Sequence, residues 1–407
     1  MSKEITIGII KEGKNPPDRR VPFTPEHCKA LVEKFPQVEI QVQKSSIRAF
    51  SDDEYVAKNL KLVEDLNDAA VIFGVKEVLI KDLIPNKTYF FFSHTIKKQP
   101  YNRDLLRAVL EKNIQLVDYE CLTTKDGQRI IGFGRYAGIV GTYNGFLAFG
   151  KRSNSFQLKP AHLCKNKVEL LEELKKVVLP ENFKIAITGL GRVAGGALEI
   201  FQALNLKQVS PSEYLTSNFS EPVFTQLSVE EYFKKPSNEL FEREEVFQFP
   251  ERFENNFMPY ARETDLYISC HFWDSKGPVI FTKEEMKSSD FRIRTIADIS
   301  CDIDGPIPST IRPSTIDDPI YEVDRISGDE LTENADKENS ITVMAVDNLP
   351  CELPRDASEG FGKDLLEKVI PNLLGEDEDQ VFERACIAAN GKLMPNFKYL
   401  EDYVKGI

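Results

Sequence analysis

Short apolar runs alternate with charged, amphipathic stretches along the first 130 residues of the chain. The apolar runs are rich in β-branched and aromatic residues, as in EITIGII, EIQVQ, AAVIFGV, KTYFFFS and IQLVDYE. The stretches between them, such as PEHCKALVEKF and RDLLRAVLEKN, repeat apolar residues three and four positions apart, which is typical of amphipathic helices. This alternation predicts a mostly parallel sheet with helices on its faces.

A second alternating block begins near Leu170 with LLEELKKVV, continues with KIAITG and a helical pattern, and returns in DLYISC and RTIADIS. The tail from Ser358 onward predicts two helices, in EGFGKDLLEKVIPNLL and DQVFERACIAANGKL, and leaves no strands for a domain of its own. We therefore expect an α/β protein with two Rossmann-like domains, each a mostly parallel sheet with helices on both faces, and an active site in the cleft between them. The expected domains are a discontinuous substrate domain, 1–133 with 349–407, and a dinucleotide-binding domain, 134–348. Two polar stretches, about 230–262 and 324–340, are predicted surface excursions.

The segment 130–150 is apolar enough to resemble a membrane span, but six glycines and Asn144 argue against that interpretation. On one face, a helix would gather four small residues against which another backbone can pack closely: Gly134, Gly138, Gly141 and Gly145. We predict a buried helix that leads from one domain into the next. A loose glycine-rich loop is the alternative, since glycine lowers helix stability.

The strongest chemical signal follows the predicted strand KIAITG, where GLGRVAGG opens a predicted helix. This string fits the dinucleotide-binding fingerprint, in which the first glycine makes a tight turn, the second admits the pyrophosphate and a small third residue lets helix and strand pack. The phosphates then face the helix N-terminus. The predicted cofactor-binding residues in this loop are Gly189, Gly191, Arg192, Val193 and Ala194.

An acidic residue that holds the adenosine ribose is expected about 20 residues further on, at the end of the next strand. Ser210 stands there instead. The missing carboxylate removes repulsion toward a 2′-phosphate, and Arg192 could supply positive charge, so NADP(H) is favoured over NAD(H). Glu213 could still reach a ribose, which keeps NAD(H) open.

Charged residues end several predicted strands of the first block. Lys76 and His94 could project from the carboxyl edge of one parallel sheet, where ligands bind and where a lysine and a histidine suit proton transfer. Glu120 could pair with Lys76 or with a substrate ammonium, and Asp347 occupies a similar strand end. Arg20 could bind a carboxylate. From spacing alone, however, a surface lysine, a core histidine and an exposed arginine are the favoured interpretations of Lys76, His94 and Arg20.

Composition narrows the class of protein. The 407 residues carry 52 Lys and Arg against 65 Asp and Glu, a net charge of −13, and the basic residues are not clustered, so nucleic acid is excluded as a partner. The seven cysteines show no short repeated spacing, which indicates neither a disulfide framework nor a metal site. Because the first residues lack the apolar core of a signal peptide, we expect a cytoplasmic protein without a membrane partner.

Taken together, the motifs resemble a known family, the lysine-forming saccharopine dehydrogenases, and more closely the lysine–ketoglutarate reductase half of the aminoadipic semialdehyde synthases. The resemblance covers nearly the whole chain and rests on RRVPFTP, GVKE, FFSHTIK, DYE, FGRYAG, the glycine loop, ADIS and DNLPCELPRDAS, in that order. More distantly, the chain is similar to alanine dehydrogenase and the nicotinamide nucleotide transhydrogenase domain.

The resemblance implies a reductive amination, in which the ε-amine of lysine attacks the keto carbon of 2-oxoglutarate and a nicotinamide hydride reduces the resulting imine to saccharopine. Similarity to the family implies Lys76 as the base and His94 as the acid, with Glu120 raising the pKa of Lys76. Residues expected to bind the substrates are Arg20, Gln99, Arg129 and Asp347. Asp298 and Ser300 are expected near the nicotinamide.

Three departures from the family pattern are visible. Ser210 replaces the strand-end acid of resembling NAD enzymes, the 230–262 stretch is additional to the shorter fungal enzymes, and His271 replaces an apolar residue and either touches the cofactor or fills space. The saccharopine-cleaving half does not follow, so one reaction step is expected. An alanine dehydrogenase-like enzyme and a catalytically silent nucleotide-binding protein remain alternative hypotheses, and a homo-oligomer is left open.

Overall fold

The strands come from the apolar runs of the sequence. The computed structural model describes residues 4–236, 240–332 and 339–407. The strands of these residues are β1 (Ile5–Ile9), β2 (Val38–Gln43), β3 (Lys61–Val63), β4 (Val71–Phe73), β5 (Thr88–Phe91), β6 (Gln115–Asp118), β7 (Lys184–Thr188), β8 (Lys207–Gln208), β9 (Val223–Leu227), β10 (Phe233–Lys234), β11 (Glu254–Asn255), β12 (Leu266–Ser269), β13 (Thr295–Asp298), β14 (Ile320–Asp324), β15 (Ser340–Met344), β16 (Cys386–Ala389) and β17 (Lys392–Leu393).

The α-helices lie between these strands and carry the amphipathic stretches. In chain order they are α1 (Pro25–Lys34), α2 (Asp52–Val56), α3 (Arg103–Glu111), α4 (Gly134–Ser153), α5 (Lys167–Glu173), α6 (Arg192–Ala203), α7 (Pro211–Thr216), α8 (Val229–Tyr232), α9 (Arg243–Gln248), α10 (Met258–Ala261), α11 (Lys283–Lys287), α12 (Pro354–Asp364), α13 (Ile370–Leu374), α14 (Val381–Ala385) and α15 (Glu401–Lys405).

The chain divides into two units, Met1–Phe133 with Pro354–Ile407 and Gly134–Leu353. Each unit is built on its own sheet with helices packed against it, so the predicted α/β class is confirmed. Of the two polar stretches predicted as surface excursions, residues 237–239 and 333–338 lie outside the described residues.

The sheet of the first unit has the order β17-β16-β6-β5-β4-β1-β2-β3. The strands β1 to β6 are all parallel, and fully buried residues such as Ile7, Ile72 and Phe91 form its core. Parallel strands place their carboxyl ends along one edge, and this edge positions the site described below.

The tail of the first unit corrects a prediction. The expectation of a helix over DQVFERACIAANGKL is wrong beyond Ala385, because β16 and β17 follow as an antiparallel hairpin that pairs with β6. Asn390 and Gly391 both have positive φ, 53° and 68°, the turn that an Asn-Gly pair favours between two strands. The apolar run CIAA thereby covers the edge of β6.

The sheet of the second unit has the order β14-β15-β13-β12-β7-β9-β8, and β14 is its antiparallel strand. All five residues of β7 are buried, as expected for a central strand of a parallel sheet. The neighbour of β7 on one side is β12 and on the other side is β9, while β8 lies outside β9 at the edge.

The predicted glycine-faced helix is confirmed as α4. A Cβ added to Gly138 would lie 1.8 Å from the carbonyl oxygen of Val193, and one added to Gly196 would lie 1.9 Å from that of Arg135. The backbones of α4 and α6 therefore touch at these two glycines, which excludes any larger side chain. Within the described residues, no helix combines the length and the apolar character that crossing a membrane requires.

Candidate active site

Four neighbouring strands of the first sheet end in charged residues. Glu12 follows β1, Lys76 and Glu77 follow β4, His94 follows β5, and Glu120 follows β6. Because these strands are parallel and adjacent in the order β6-β5-β4-β1, the five side chains belong to one edge of the sheet.

Glu12 fixes the loop that carries Lys76. Its Oε1 accepts the backbone N–H of Val75 at 2.7 Å, and its Oε2 accepts that of Lys76 at 2.9 Å. Burial, followed by the negative charge of Asp18, raises the pKa of Glu12 to about 8 in spite of these two hydrogen bonds. The carboxyl group thus holds the backbone of Lys76 in place.

The side chain of Lys76 lies in a cationic, partly buried environment. Burial lowers its pKa below the usual range, and the positive charges of Arg20 and Lys14 lower it further. The negative charges of Glu77 and Asp18 act in the opposite direction without reversing the result. A lysine with a lowered pKa is neutral more often at physiological pH, which is what a proton acceptor needs.

His94 is oriented by Glu77. Its backbone is left-handed, with φ 54°, and its Nδ1 lies 2.6 Å from Glu77 Oε1 while Lys14 Nζ lies 2.9 Å from Glu77 Oε2. Burial raises the pKa of Glu77, but hydrogen bonds from His94 and Lys14 and the charge of His94 outweigh burial and lower it to about 2. Since an ionised carboxylate only accepts hydrogen bonds, Nδ1 carries the proton in this pair and Nε2 is the nitrogen left for proton transfer.

Asp118 holds the turn on which His94 stands. This fully buried residue accepts the backbone N–H of Ser93 at 2.9 Å and that of Glu120 at 2.7 Å, and it also accepts the hydroxyl of Ser93. The residues directly before His94 and at the end of β6 are therefore tied to one carboxyl group.

Arg20 is buried, so the alternative of an exposed arginine is wrong. Its side chain is 2% exposed and pairs with Asp18 through two contacts, Nε to Oδ1 at 3.0 Å and Nη2 to Oδ2 at 2.5 Å. The guanidinium also lies over the ring of Phe133, 4.2 Å from its centre. Asp18 and Phe133 therefore fix the orientation of Arg20, whose positive charge lowers the pKa of Lys76.

Glu120 does not act on Lys76 as expected. Its Oε1 lies 3.2 Å from Arg129 Nη2 and 3.7 Å from Lys97 Nζ, and within the described residues its buried Oε2 has no hydrogen-bond partner. The expectation that Glu120 raises the pKa of Lys76 is therefore wrong, because that pKa is lowered and the opposing carboxylates are Glu77 and Asp18.

Of the other predicted substrate residues, two belong to the first unit and one to the second. The Oε1 atom of Gln99 accepts the hydroxyl of Tyr101, and Arg129 is half exposed beside Glu120. Asp347 lies in the second unit and is exposed after the end of β15. The pKa of Cys301 is raised to about 12, mainly by burial and then by the negative charges of Asp298 and Asp347.

The predicted glycine loop joins β7 to α6 in the second unit. Gly189 has φ +99°, and a Cβ there would lie 2.6 Å from the carbonyl oxygen of Cys270. Gly191 caps the twelve-residue helix α6 with open space beside it, since an added Cβ would meet nothing within 4 Å. Ala194 is fully buried behind the loop. A strained tight turn, an open second glycine and a small third residue fit a bound pyrophosphate.

A cavity of about 510 Å³ lies directly beside this loop. It extends from the glycine loop to the residues that follow β9 and β12. Its lining residues are Gly189, Leu190, Gly191, Arg192, Val193, Val229, Tyr232, Arg243, Phe247, Cys270, His271 and Phe272.

Ser210 is not placed as the ribose argument assumed. It follows β8, whereas the strand next to β7 is β9, so Ser210 lies at the outer edge of the sheet. There it caps α7, with its hydroxyl accepting the backbone N–H of Glu213 at 3.2 Å and the Glu213 carboxylate accepting the N–H of Ser210 at 3.0 Å. Ser210 stands at the expected distance along the chain from the glycine loop, but β8 and α7 come before β9, the strand that pairs with β7. The hydrophobic periodicity did not reveal this additional strand and helix.

Asp298 and Ser300 form a closed hydrogen-bonded group at the end of β13. Asp298 is fully buried, accepts the Ser300 hydroxyl at 2.7 Å and the Thr310 hydroxyl at 2.6 Å, and does not line the cavity. His271 does line it. Its Nδ1 lies 2.8 Å from Thr188 Oγ1, and burial lowers its pKa to about 4, so the ring is neutral at physiological pH.

Four residues of the first unit were missed by the sequence argument: Glu12, Asp18, Glu77 and Asp118. Glu77 and Asp118 stand inside the strings GVKE and DYE, and Glu12 follows the first strand. The same strand-end signal that selected Lys76 and His94 applies to these carboxylates. Asp18 carried no such signal, since only its pairing with Arg20 in space gives it a role.

The chain is similar to several known proteins. Residues 8–140 match the family described as alanine dehydrogenase/PNT, N-terminal domain. The chain is 25% identical over 412 residues to saccharopine dehydrogenase [NAD(+), L-lysine-forming] from Candida albicans, covering 95% of this chain and 96% of that protein. It is 30% identical over 445 residues to the mitochondrial alpha-aminoadipic semialdehyde synthase of Mus musculus, covering 97% of this chain.

The chain is similar over nearly its whole length to a lysine-forming saccharopine dehydrogenase. The resemblance predicted from the motifs is thereby confirmed, although the chain spans only about half, 47%, of the Mus musculus synthase. Among solved structures, an L-alanine dehydrogenase has a TM-score of 0.64 at 17% identity, covering 97% of this chain and 99% of that one. A transhydrogenase from Sinorhizobium meliloti has a TM-score of 0.58 at 13% identity, covering 95% and 98%. These two likenesses confirm the Rossmann-like fold, and the sequence relatives are named as saccharopine dehydrogenases and aminoadipic semialdehyde synthases.

Proposed function

We propose that the chain interconverts L-lysine plus 2-oxoglutarate and saccharopine, with NADP(H) as the hydride carrier. The observation that carries the proposal is the Lys76–Glu77–His94 group at the carboxyl edge of the first sheet. Glu77 bonds His94 and acts electrostatically on Lys76, so one carboxylate links a lysine of lowered pKa to an oriented histidine. The relatives named for the lysine-forming reaction support the choice of substrates.

The chemistry requires an amine that has lost its proton. The ε-ammonium of lysine has a pKa of about 10.4 in water, so it needs a base before it can attack the keto carbon. Lys76 takes this proton, because burial and the charges of Arg20 and Lys14 lower its pKa and so destabilise its charged form. Once protonated, Lys76 stays close to the carboxylates of Glu77 and Asp18.

Loss of water from the carbinolamine requires an acid. In its imidazolium form, protonated at both nitrogens, His94 donates its Nε2 proton to the departing hydroxyl group and becomes the neutral ring, while the hydrogen bond from Nδ1 to Glu77 holds the ring in place. The turn before His94 is fixed by Asp118, so the ring does not need to be ordered at each turnover.

The substrates also bring several carboxylates. Asp18 orients Arg20, and the half-exposed Arg129 lies beside Glu120. On family resemblance, both guanidinium groups are proposed to bind carboxylates of 2-oxoglutarate and lysine. Gln99 and the exposed Asp347 are retained as proposed substrate contacts on family resemblance.

The cofactor residues are proposed from the second unit. Gly189, Gly191 and the N-terminus of α6 would hold the pyrophosphate, and the bound nicotinamide would supply the hydride that reduces the imine carbon. NADP(H) is proposed over NAD(H) because Arg192 lines the cavity and none of the described residues that line it is acidic. The Candida albicans relative is named for NAD(+), and the rates measured with NADPH and with NADH distinguish the two cofactors.

A spectrophotometric assay tests the proposal. Absorbance at 340 nm is followed with NADPH and separately with NADH, in the presence of 2-oxoglutarate with and without lysine. We expect oxidation only when both lysine and 2-oxoglutarate are present, and faster with NADPH. Oxidation with pyruvate and ammonia alone would instead indicate an alanine dehydrogenase-like enzyme, and cofactor binding without any oxidation would indicate a silent nucleotide-binding protein.

The cytoplasmic location expected from the sequence stays a prediction. The Mus musculus relative is named as a mitochondrial protein. Fractionation of cells that express the tagged full-length protein would decide between the two compartments.

A further inference from the structure

The cavity beside the glycine loop has a wall that is not part of the dinucleotide fingerprint. After β9, the chain leaves the sheet and forms α8, β10, α9 and β11 before it returns through α10 to β12. Four residues of this excursion line the cavity: Val229, Tyr232, Arg243 and Phe247. The stretch predicted only as a surface excursion therefore forms one side of the proposed cofactor site.

The excursion is anchored, so its cavity-lining residues have a defined place. β10 and β11 pair as a short antiparallel hairpin, and Phe233, Val246 and Phe253 are buried in the core of the second unit. Lys235 forms a salt bridge with Glu245 on α9. These contacts hold α9 against the body of the unit, with Arg243 in its first turn and Phe247 one turn later.

The position of this wall identifies the half of the dinucleotide that it faces. In a Rossmann sheet, the residue that reads the adenosine ribose follows the strand next to the glycine strand. That strand is β9, and Val229, which follows it, lines the same cavity as Arg243. The excursion thus stands on the adenosine side of the glycine loop.

We infer that Arg243, together with Arg192, binds the 2′-phosphate of NADP(H), and that Phe247 packs against the adenine ring. The inference rests on the proposed function and deepens it by naming the residue that selects the cofactor. Within the described residues Arg243 forms no salt bridge, and the guanidinium group suits a phosphate because it donates two parallel hydrogen bonds. Phe247 is 55% exposed and lines the cavity, so its ring is accessible to the planar adenine ring.

One carboxylate competes for the same arginine. Burial acts to raise the pKa of Glu230, but the hydroxyl of Ser228, a backbone amide and the charge of Arg243 together lower it. Glu230 stands three residues beyond β9, where an acidic residue would hold the ribose hydroxyls of NAD(H) instead. Arg243 and Glu230 therefore set the preference in opposite directions.

Binding of two cofactor fragments to the full chain tests the inference without any turnover. Isothermal titration calorimetry measures the Kd of 2′-phospho-ADP-ribose and of ADP-ribose, which differ only in the phosphate. We expect the wild type to bind 2′-phospho-ADP-ribose at least tenfold more tightly. Arg243→Leu should weaken that fragment about ten- to a hundredfold and change the Kd of ADP-ribose less than threefold. Glu230→Gln should strengthen binding of 2′-phospho-ADP-ribose.

Matched variants keep the result interpretable. Arg252→Leu removes an arginine of the same excursion that stacks on Phe249 and does not line the cavity, so both Kd values should stay unchanged. Phe247→Ala should weaken both fragments to a similar degree. Equal affinity of the wild type for the two fragments, or equal weakening of both by Arg243→Leu, would overturn the inference while leaving dinucleotide binding intact. Failure of the wild type to bind either fragment would overturn the proposed function as well.

Discussion

Replacing Glu77 by glutamine should destabilise the protein in a pH-dependent way. Glu77 has a side chain that is 12% exposed, and contacts with His94 and Lys14 lower its pKa from 4.5 to about 2. A group whose folded pKa is lowered stabilises the fold above its unfolded pKa, and this stabilisation is lost as the pH falls toward the folded value. The relevant window therefore runs from about pH 5 down to about pH 2.

The magnitude follows from the same two pKa values. A lowering from 4.5 to about 2 corresponds to an upper limit of about 3 kcal/mol at pH 7 and about 1 kcal/mol at pH 3. Solvent screening reduces both values, so we expect Glu77→Gln to lose about 1 to 3 kcal/mol at pH 7 and clearly less at pH 3.

Urea titrations followed by far-ultraviolet circular dichroism measure this difference at pH 7, 5 and 3. Glu33→Gln is the matched control, because Glu33 is a 65% exposed glutamate of the same unit whose partner Lys29 is also exposed. We expect the control to change the free energy of unfolding by less than about 0.5 kcal/mol. A Glu77→Gln penalty that stays constant from pH 7 to pH 3, or one no larger than that of Glu33→Gln, would refute the assigned role of Glu77.

Three further predictions follow from other parts of the structure. Lys76→Met and His94→Gln should each lower kcat at neutral pH by about 10² to 10⁴, measured at 340 nm, and near-normal turnover in both would remove the proposed acid and base. Arg20→Met should raise the KM for 2-oxoglutarate at least tenfold, and an unchanged KM would exclude Arg20 from carboxylate binding. Gly138→Ala should destabilise the second unit by about 3 kcal/mol or more in urea titrations, since its Cβ would lie 1.8 Å from a carbonyl oxygen, whereas Gly195→Ala, with open space around it, should be neutral or stabilising. Equal effects of the two glycine variants would contradict the close crossing of α4 and α6.

The sequence predicts local features of this fold well where one strong signal decides them. The strand KIAITG, the glycine loop and the glycine face of α4 all depend on patterns within about 20 residues, and each is present in the structure. The hairpin β16–β17 was missed because the apolar run CIAA follows directly on a helical pattern. The Asn390-Gly391 turn was the signal that could have separated the two.

The candidate site shows the same limit in its electrostatics. Lys76 and His94 could be selected because each ends a strand, but their partners depend on which loops meet in space. Glu77 was skipped in favour of Glu120, since sequence spacing does not show that Glu120 faces Arg129 and Lys97 instead. In the same way, the order of β7, β9 and β8 cannot be derived from their order in the chain, and this misplaced Ser210.

Isotope tracing shows whether this chain joins lysine to 2-oxoglutarate and reduces the product. The purified protein is incubated with 2-oxoglutarate, lysine labelled with ¹⁵N at the ε-position, and NADPH deuterated at the transferred position, and the products are analysed by mass spectrometry. We expect saccharopine that contains one ¹⁵N and one deuterium. Saccharopine without deuterium, or consumption of NADPH with no labelled saccharopine, would contradict this expectation.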